Sequence, residues 1–181
     1  MSELLSLSKK IVLLGDPAVG KTSLIRKFVY DMFNDNYITT LGAKVSRKRL
    51  IFDHPTKDIK IEMKFLIWDI MGQKEYAMVQ QSAFMGAQGA IIVCDVTRRK
   101  TLESSINWIT NLFDIAGEIP LVLIGNKCDL SEQKQFQYED LANFVSAFSA
   151  PAFLASAKTG ENVEISFTKL GEHIVKIDFG E

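Results

Sequence analysis

The chain has 181 residues, 47% apolar and 24% charged, which suits one folded domain with its own core and excludes a disordered or fibrous chain. A net charge of −1 gives the whole molecule no strong attraction to nucleic acid or anionic lipid, so no nucleic-acid partner is expected. No apolar run approaches the roughly 18 residues of a membrane span, and Cys94 and Cys128 have neither CxxC nor zinc-ligand spacing, as expected of two reduced thiols in a cytoplasmic protein.

In chain order, Ile11–Leu14 is an unbroken apolar run, the pattern of a strand covered on both faces. Leu24, Ile25, Phe28 and Met32 then fall at helical spacing and predict a core-facing helix. Asp53–Asp58 reads as the turn of a long hairpin, with Lys44, Arg47, Lys48 and Arg49 on one side and Lys57, Lys60 and Lys64 on the other. His54, beside that turn, is expected in solvent. The basic residues suit either a solvated edge that discourages sheet-to-sheet pairing or a surface for an acidic partner or lipid headgroup. Phe65–Trp68, Ala90–Cys94, Leu121–Ile124 and, more weakly, Pro151–Ala155 read as further strands. Three more helical stripes lie between and after them: Leu102, Ile106, Ile109, Phe113; then Leu141, Phe144, Val145, Phe148; then Val163, Phe167, Leu170, Ile174. Alternating strands and helices predict an α/β fold, a mostly parallel sheet with helices on both faces and ligands at the carboxyl ends of its strands.

The chemistry-bearing residues stand at those ends. Gly15-Asp16-Pro17-Ala18-Val19-Gly20-Lys21-Thr22 matches G-x-x-x-x-G-K-[ST] between the first strand and the first helix. Its glycines let the backbone wrap closely, so that successive N–H groups and the helix N-terminus can face a phosphate. Lys21 can reach the outer phosphates and the Thr22 hydroxyl can ligate Mg²⁺; Ala18, Val19, Gly20 and Ser23 complete the expected cradle. Asp69 closes the strand that begins at Phe65, where its carboxylate can hold Mg²⁺ through water. Gly72 and Gln73 follow: the first lets a backbone N–H approach a γ-phosphate, the second can orient an attacking water. Asn126-Lys127-Cys128-Asp129 follows the strand at Leu121–Ile124. A carboxylate there can accept two hydrogen bonds from guanine, a donor pair that adenine lacks. Ser156-Ala157-Lys158 follows the last strand and can offer a backbone N–H to guanine O6.

With these residues in this order, the chain resembles a Ras-superfamily small GTPase, closest to the Rab-like branch, over nearly its whole length. The resemblance implies a P-loop NTPase G domain spanning residues 1–181, doubly wound, with a six-stranded sheet in which one pair of strands is antiparallel. Tyr37-Ile38-Thr39-Thr40-Leu41-Gly42 is similar to the family's first switch, which implies that Thr40 ligates Mg²⁺ and senses the γ-phosphate. Phe33 is similar to the aromatic residue that packs on the guanine plane, and Ser156–Val163 is very Rab-like. Several positions depart from the family pattern. Pro17 and Ala18 stand where relatives often carry glycine, Ile70-Met71 replaces a small Thr-Ala pair, and Lys74 replaces an acidic residue. The stretch from Thr40 to Asp69 is several residues longer than usual.

The resemblance implies a GTP-binding switch, at work in signalling and vesicle traffic, that hydrolyses GTP slowly with Mg²⁺. It would act through effector, exchange-factor and activating proteins, as a monomer. No residue stands out as an arginine finger in cis. Ser2 occupies the position where myristoylation needs glycine, and Phe179-Gly180-Glu181 lacks a prenylatable cysteine. Membrane association is therefore expected only through a partner or a tail beyond Glu181. Two rivals remain: a GTP-binding interaction protein without useful hydrolysis, opposed by Thr40 and Gln73, and an ATP-using P-loop kinase, opposed by Asn126–Asp129.

Overall fold

The computed structural model describes residues 4–33, 42–70 and 77–180. Six strands form one sheet: β1 (Leu4–Leu14), β2 (Ala43–Asp53), β3 (Lys60–Ile70), β4 (Gly89–Asp95), β5 (Leu121–Asn126) and β6 (Ala152–Leu154). Their order across the sheet is β2-β3-β1-β4-β5-β6. Only β2 and β3 run antiparallel, in register from Ala43 opposite Ile70 to Asp53 opposite Lys60; the other pairs are parallel. The helices are α1 (Lys21–Tyr30), α2 (Ala77–Phe84), α3 (Arg99–Glu103), α4 (Ser105–Ala116), α5 (Tyr138–Val145) and α6 (Val163–Phe179).

The alternation of side chains along each central strand divides the core in two. Ile11, Leu13, Ile91, Val93, Val122 and Ile124 point to one face, where α1 and α6 bring Leu24, Phe28, Phe167 and Leu170. Val12, Leu14, Ile92, Cys94 and Leu123 point to the other, against Phe84, Leu102, Trp108, Leu112 and Leu141. The doubly wound arrangement expected from the sequence is thus observed. Phe28 of α1 stacks on Phe167 of α6 with ring centroids 4.0 Å apart, a contact beyond simple area burial.

β1 shows why only part of it reads as an unbroken apolar run. Between Ile11 and Leu14 it lies between β3 and β4 and is fully buried. From Leu4 to Lys10 it pairs with β3 alone. There Leu5 and Leu7 are half-buried and Ser6 and Ser8 exposed, the period-two pattern of a one-sided strand.

Three of the four helical stripes shift where a helix ends early. α1 stops at Asp31, which adopts a left-handed φ of 53°, so Met32 leaves the stripe and is exposed. The α3–α4 segment breaks at Ser104, which turns Ile106 outward and buries Trp108 and Leu112 instead. α5 ends at Val145, and Phe144 and Phe148 are only half-buried beside Phe113. The stripe on α6 is buried throughout.

His54 is a correction: it is buried rather than solvated. Its ring lies 5.0 Å from that of Phe179, and its Nδ1 accepts the Thr56 N–H at 3.2 Å. The hairpin is folded back onto α6, which supplies an apolar wall that local sequence does not reveal. The basic residues are partly engaged as well. Arg49 faces Glu62 at 3.9 Å, Lys60 pairs with Asp53, and Lys48 lies over the Phe28 ring. Phe52 of the hairpin meets α6 at Gly171, where an added Cβ would fall 2.2 Å from Phe52 Cζ. Gly171→Ala is therefore expected to destabilise the fold by about 2 kcal/mol through overpacking, read as a fall in Tm of about 5 °C. An unchanged melting curve would show that the hairpin does not lean on α6.

Among the described residues no helix is long and apolar enough to cross a membrane.

Candidate functional site

The loop from Gly15 to Gly20 joins the end of β1 to the start of α1, so it lies at the carboxyl edge of the sheet. Two glycines are required there by space. At Gly15, φ is +147° and a Cβ would sit 2.2 Å from the Val93 carbonyl oxygen; at Gly20, φ is +102° and a Cβ would sit 2.2 Å from Asn126 Nδ2. Ala18 also takes a left-handed φ, of 62°. Alternating backbone conformations of this kind turn successive N–H groups toward a common concavity that suits an anion.

Lys21 is buried and donates to the Gly15 and Asp16 carbonyls at 2.7 and 2.9 Å. Burial lowers its pKa to about 8, while the nearby Asp69 and Asp16 carboxylates oppose that fall. A phosphate would restore the charged form. The Thr22 hydroxyl donates to the buried Asp69 carboxylate, which β3 places beside the start of α1. Asp69 stands within the end of β3, one residue before its last. A hydroxyl and a carboxylate converging beside a lysine form an oxygen donor set of the kind a hard cation such as Mg²⁺ prefers, and the residues present fit that ion.

β5 ends at Asn126, two residues further than its apolar run suggests. Asn126 Nδ2 donates to the Val19 carbonyl at 2.9 Å, and its Oδ1 accepts the Ala157 N–H at 3.1 Å. Lys127, with a positive φ of 69°, donates to the Ala18 carbonyl at 2.9 Å and to Asp95 Oδ2 at 2.6 Å. Asp129 accepts the Ser156 hydroxyl at 2.6 Å, and Ser156 Oγ in turn accepts the Thr159 N–H. Three separate segments, 15–22, 126–129 and 156–158, are thereby joined into one site. Ser23 sits half-buried in the first turn of α1, Lys158 is exposed, and Phe33 is exposed just past α1. Thr40, Gly72 and Gln73 lie outside the described residues, as do Tyr37–Leu41, Met71 and Lys74.

Sequence reasoning missed Asp95, Arg98 and the role of Asp16. Asp95 is buried at the end of β4 and accepts from Lys127, from Arg98 Nε at 3.1 Å and from both the N–H and hydroxyl of Thr97. Burial pushes its carboxyl up, but the bonds from Lys127 and Thr97 outweigh that and hold it below its usual value. The Asp16 carboxylate accepts the Ser104 hydroxyl at 2.5 Å and Trp108 Nε1 at 2.9 Å, which anchors the loop to α4. Burial pushes both thiols up, Cys94 strongly and Cys128 to about 11, so neither is a ready nucleophile at neutral pH.

The sequence profile of the Ras family matches residues 10–176, which include every motif of this site. The chain belongs to the Ras family. Within it the chain is a Rab-like small GTPase, a hydrolase acting on GTP. It is 36% identical over 176 residues to the GTP-binding protein YPT53 of Saccharomyces cerevisiae, covering 93% of this chain and 77% of that protein. It is 35% identical to the Ras-related protein Rab11A of Lotus japonicus, over 93% of this chain and 72% of that one. Ras-related protein Rab-13 of Canis lupus familiaris is 34% identical over 92% of this chain and 79% of its own length. In this small GTPase the 15–22, 126–129 and 156–158 segments fall at the strand ends just described.

Proposed function

We propose that this Rab-like small GTPase is a Mg²⁺-dependent switch whose site holds GTP or GDP between the 15–22 loop and the 126–129 and 156–158 loops. One observation carries the reading. Asn126 and Lys127, next to the proposed base-reading Asp129, bond directly to the Val19 and Ala18 carbonyls of the phosphate loop. Base recognition and phosphate recognition are thus built as a single unit, suited to a ligand that carries both.

In this reading Gly15, Ala18, Val19, Gly20, Lys21, Thr22 and Ser23 surround the phosphates. Asn126, Lys127, Asp129, Ser156, Ala157 and Lys158 surround guanine, and Phe33 covers its plane. Thr22 and Thr40 would ligate Mg²⁺, with Asp69 behind them; the ion would neutralise charge on the phosphate oxygens. Lys21 and the loop N–H groups hold the phosphates and stabilise charge that builds up during transfer of the γ-phosphoryl group to water. Gly72 gives the backbone close access to that group, and Gln73 orients the water. The nucleotide state would then govern binding of effector, exchange-factor and activating proteins through residues 37–42 and 70–74. We place this activity in the cytoplasm, on vesicle traffic.

The test is the nucleotide that co-purifies with the protein, followed by single-turnover hydrolysis. GDP or GTP is expected, with slow turnover; tight binding without turnover would favour a pure interaction protein, and bound ATP would overturn the assignment. Gln73→Leu is expected to slow hydrolysis by about tenfold while GTP affinity stays within about twofold, because Gln73 acts on the water rather than on the bound phosphates. Wild-type turnover in that variant would remove Gln73 from the mechanism.

A further inference from the structure

Three consecutive carbonyls of the phosphate loop are each held by a side chain from elsewhere in the fold. Val19 O accepts Asn126 Nδ2 and Ala18 O accepts Lys127 Nζ, both at 2.9 Å. Pro17 O accepts Arg98 Nη2, also at 2.9 Å. Asn126 and Lys127 belong to the base-reading loop. Arg98 stands just before α3, in a segment to which the sequence assigned no chemistry.

We propose that Arg98 is a positioning residue of the phosphate loop, holding the Pro17 carbonyl so that the Ala18 N–H is aimed at the nucleotide phosphates. The inference rests on the reading that this loop binds phosphate, and it extends that reading to a residue outside the loop. In a trans peptide the C=O and N–H point in opposite directions, and the chain has no cis bond among the described residues. Clamping the oxygens of Pro17, Ala18 and Val19 therefore turns the N–H groups of Ala18, Val19 and Gly20 away from the three clamps. Two of these clamps share an anchor, since Asp95 Oδ2 accepts both Lys127 Nζ and Arg98 Nε. Arg98 needs its planar fork to do this, because one nitrogen serves Asp95 while another serves Pro17.

The third clamp matters at this position in particular. Ala18 stands at a left-handed φ of 62°, a conformation unfavourable for a residue with a Cβ. Glycine would sit there freely. With alanine in its place, the peptide before it gains from being fixed on its far side. The proline at 17 limits the chain on that side too, by setting its own φ.

The experiment compares GDP with guanosine, which carries no phosphate, on the full chain by competition against a fluorescent guanine nucleotide. Arg98→Ala is expected to weaken GDP by about tenfold, the loss of one charge-assisted hydrogen bond at a partly exposed site, and to leave guanosine within about twofold. Arg98→Lys keeps the charge but cannot serve Asp95 and Pro17 together, so it should recover only part of the loss; it carries the same test if the alanine variant does not fold. Unchanged GDP affinity, full recovery by lysine, or an equal loss for guanosine and GDP would overturn the positioning role. If the wild type bound guanosine as tightly as GDP, the phosphate-loop reading itself would fail, whatever the variants did.

Discussion

Asp129→Asn is expected to lower GDP and GTP affinity by about 10²–10³-fold, the loss of two hydrogen bonds to a charged acceptor, and to shift preference toward xanthine nucleotides. Asp129 stands just beyond β5, and the Ser156 hydroxyl fixes the orientation of its carboxylate at 2.6 Å. An oriented carboxylate offers two acceptors side by side, the complement of the N1–H and exocyclic amine of guanine. Asparagine replaces one acceptor with a donor. That donor faces the guanine amine unfavourably, but it matches the carbonyl that xanthine presents at the same place. The neighbouring bonds from Asn126 and Lys127 to the phosphate loop do not involve Asp129. The phosphate site should therefore survive, and the defect should be one of base choice. Competition by GDP, XDP and ADP against a fluorescent nucleotide reads this directly. An asparagine variant that retained wild-type preference for GDP over XDP would remove Asp129 from base recognition.

The parts of this molecule that were legible in the sequence share a physical cause. Ile11–Leu14, Ala90–Cys94 and Leu121–Ile124 are buried on both faces of a parallel sheet, so burial writes itself into composition. Gly15 and Gly20 are fixed by backbone conformation and by the close approach of Val93 and Asn126, so only glycine fits them. What escaped was set by partners distant in the chain. His54 looks like a turn residue until α6 brings Phe179 against it. Met32 continues a helical period that the backbone abandons at Asp31. Asp95 and Arg98 lie in a stretch without glycine or motif spacing, and their importance appears only when the fold brings Pro17, Ala18 and Lys127 beside them. The Asp16 carboxylate likewise waits for Trp108, far along the chain. Local pattern records backbone geometry and burial; it does not record which side chain will take a given carbonyl.

Lys21→Met is expected to reduce GTP and GDP affinity by about 10²–10³-fold while removing a pH-dependent cost from the nucleotide-free fold. Both effects follow from placing an ammonium group in a site with little access to water. In that site burial lowers the Lys21 pKa to about 8 from 10.5. Between those values the unfolded chain still holds the proton and the folded chain has released it. Stability of nucleotide-free, Mg²⁺-free protein should therefore rise as pH climbs from about 8 toward 10.5, and the full step corresponds to about 3 kcal/mol. Below pH 8 the buried charge persists and the cost is greatest. In the proposed reading, bound phosphate would remove that cost by supplying the negative charge that the Gly15 and Asp16 carbonyls only partly replace. The residue that makes the nucleotide-free fold less stable is thus the one proposed to hold the nucleotide phosphates, a trade expected where a charge is preorganised for a ligand. Methionine has a similar length and no charge, so its variant should lack the Lys21 step while the remaining titrations stay as in the wild type. Urea unfolding of both proteins in EDTA at several pH values between 7 and 10.5, with nucleotide affinity measured at pH 7, tests the two halves together. Parallel pH curves for the two proteins would show that Lys21 is not buried as a charge, and undiminished GDP affinity in the variant would show that it does not hold phosphate.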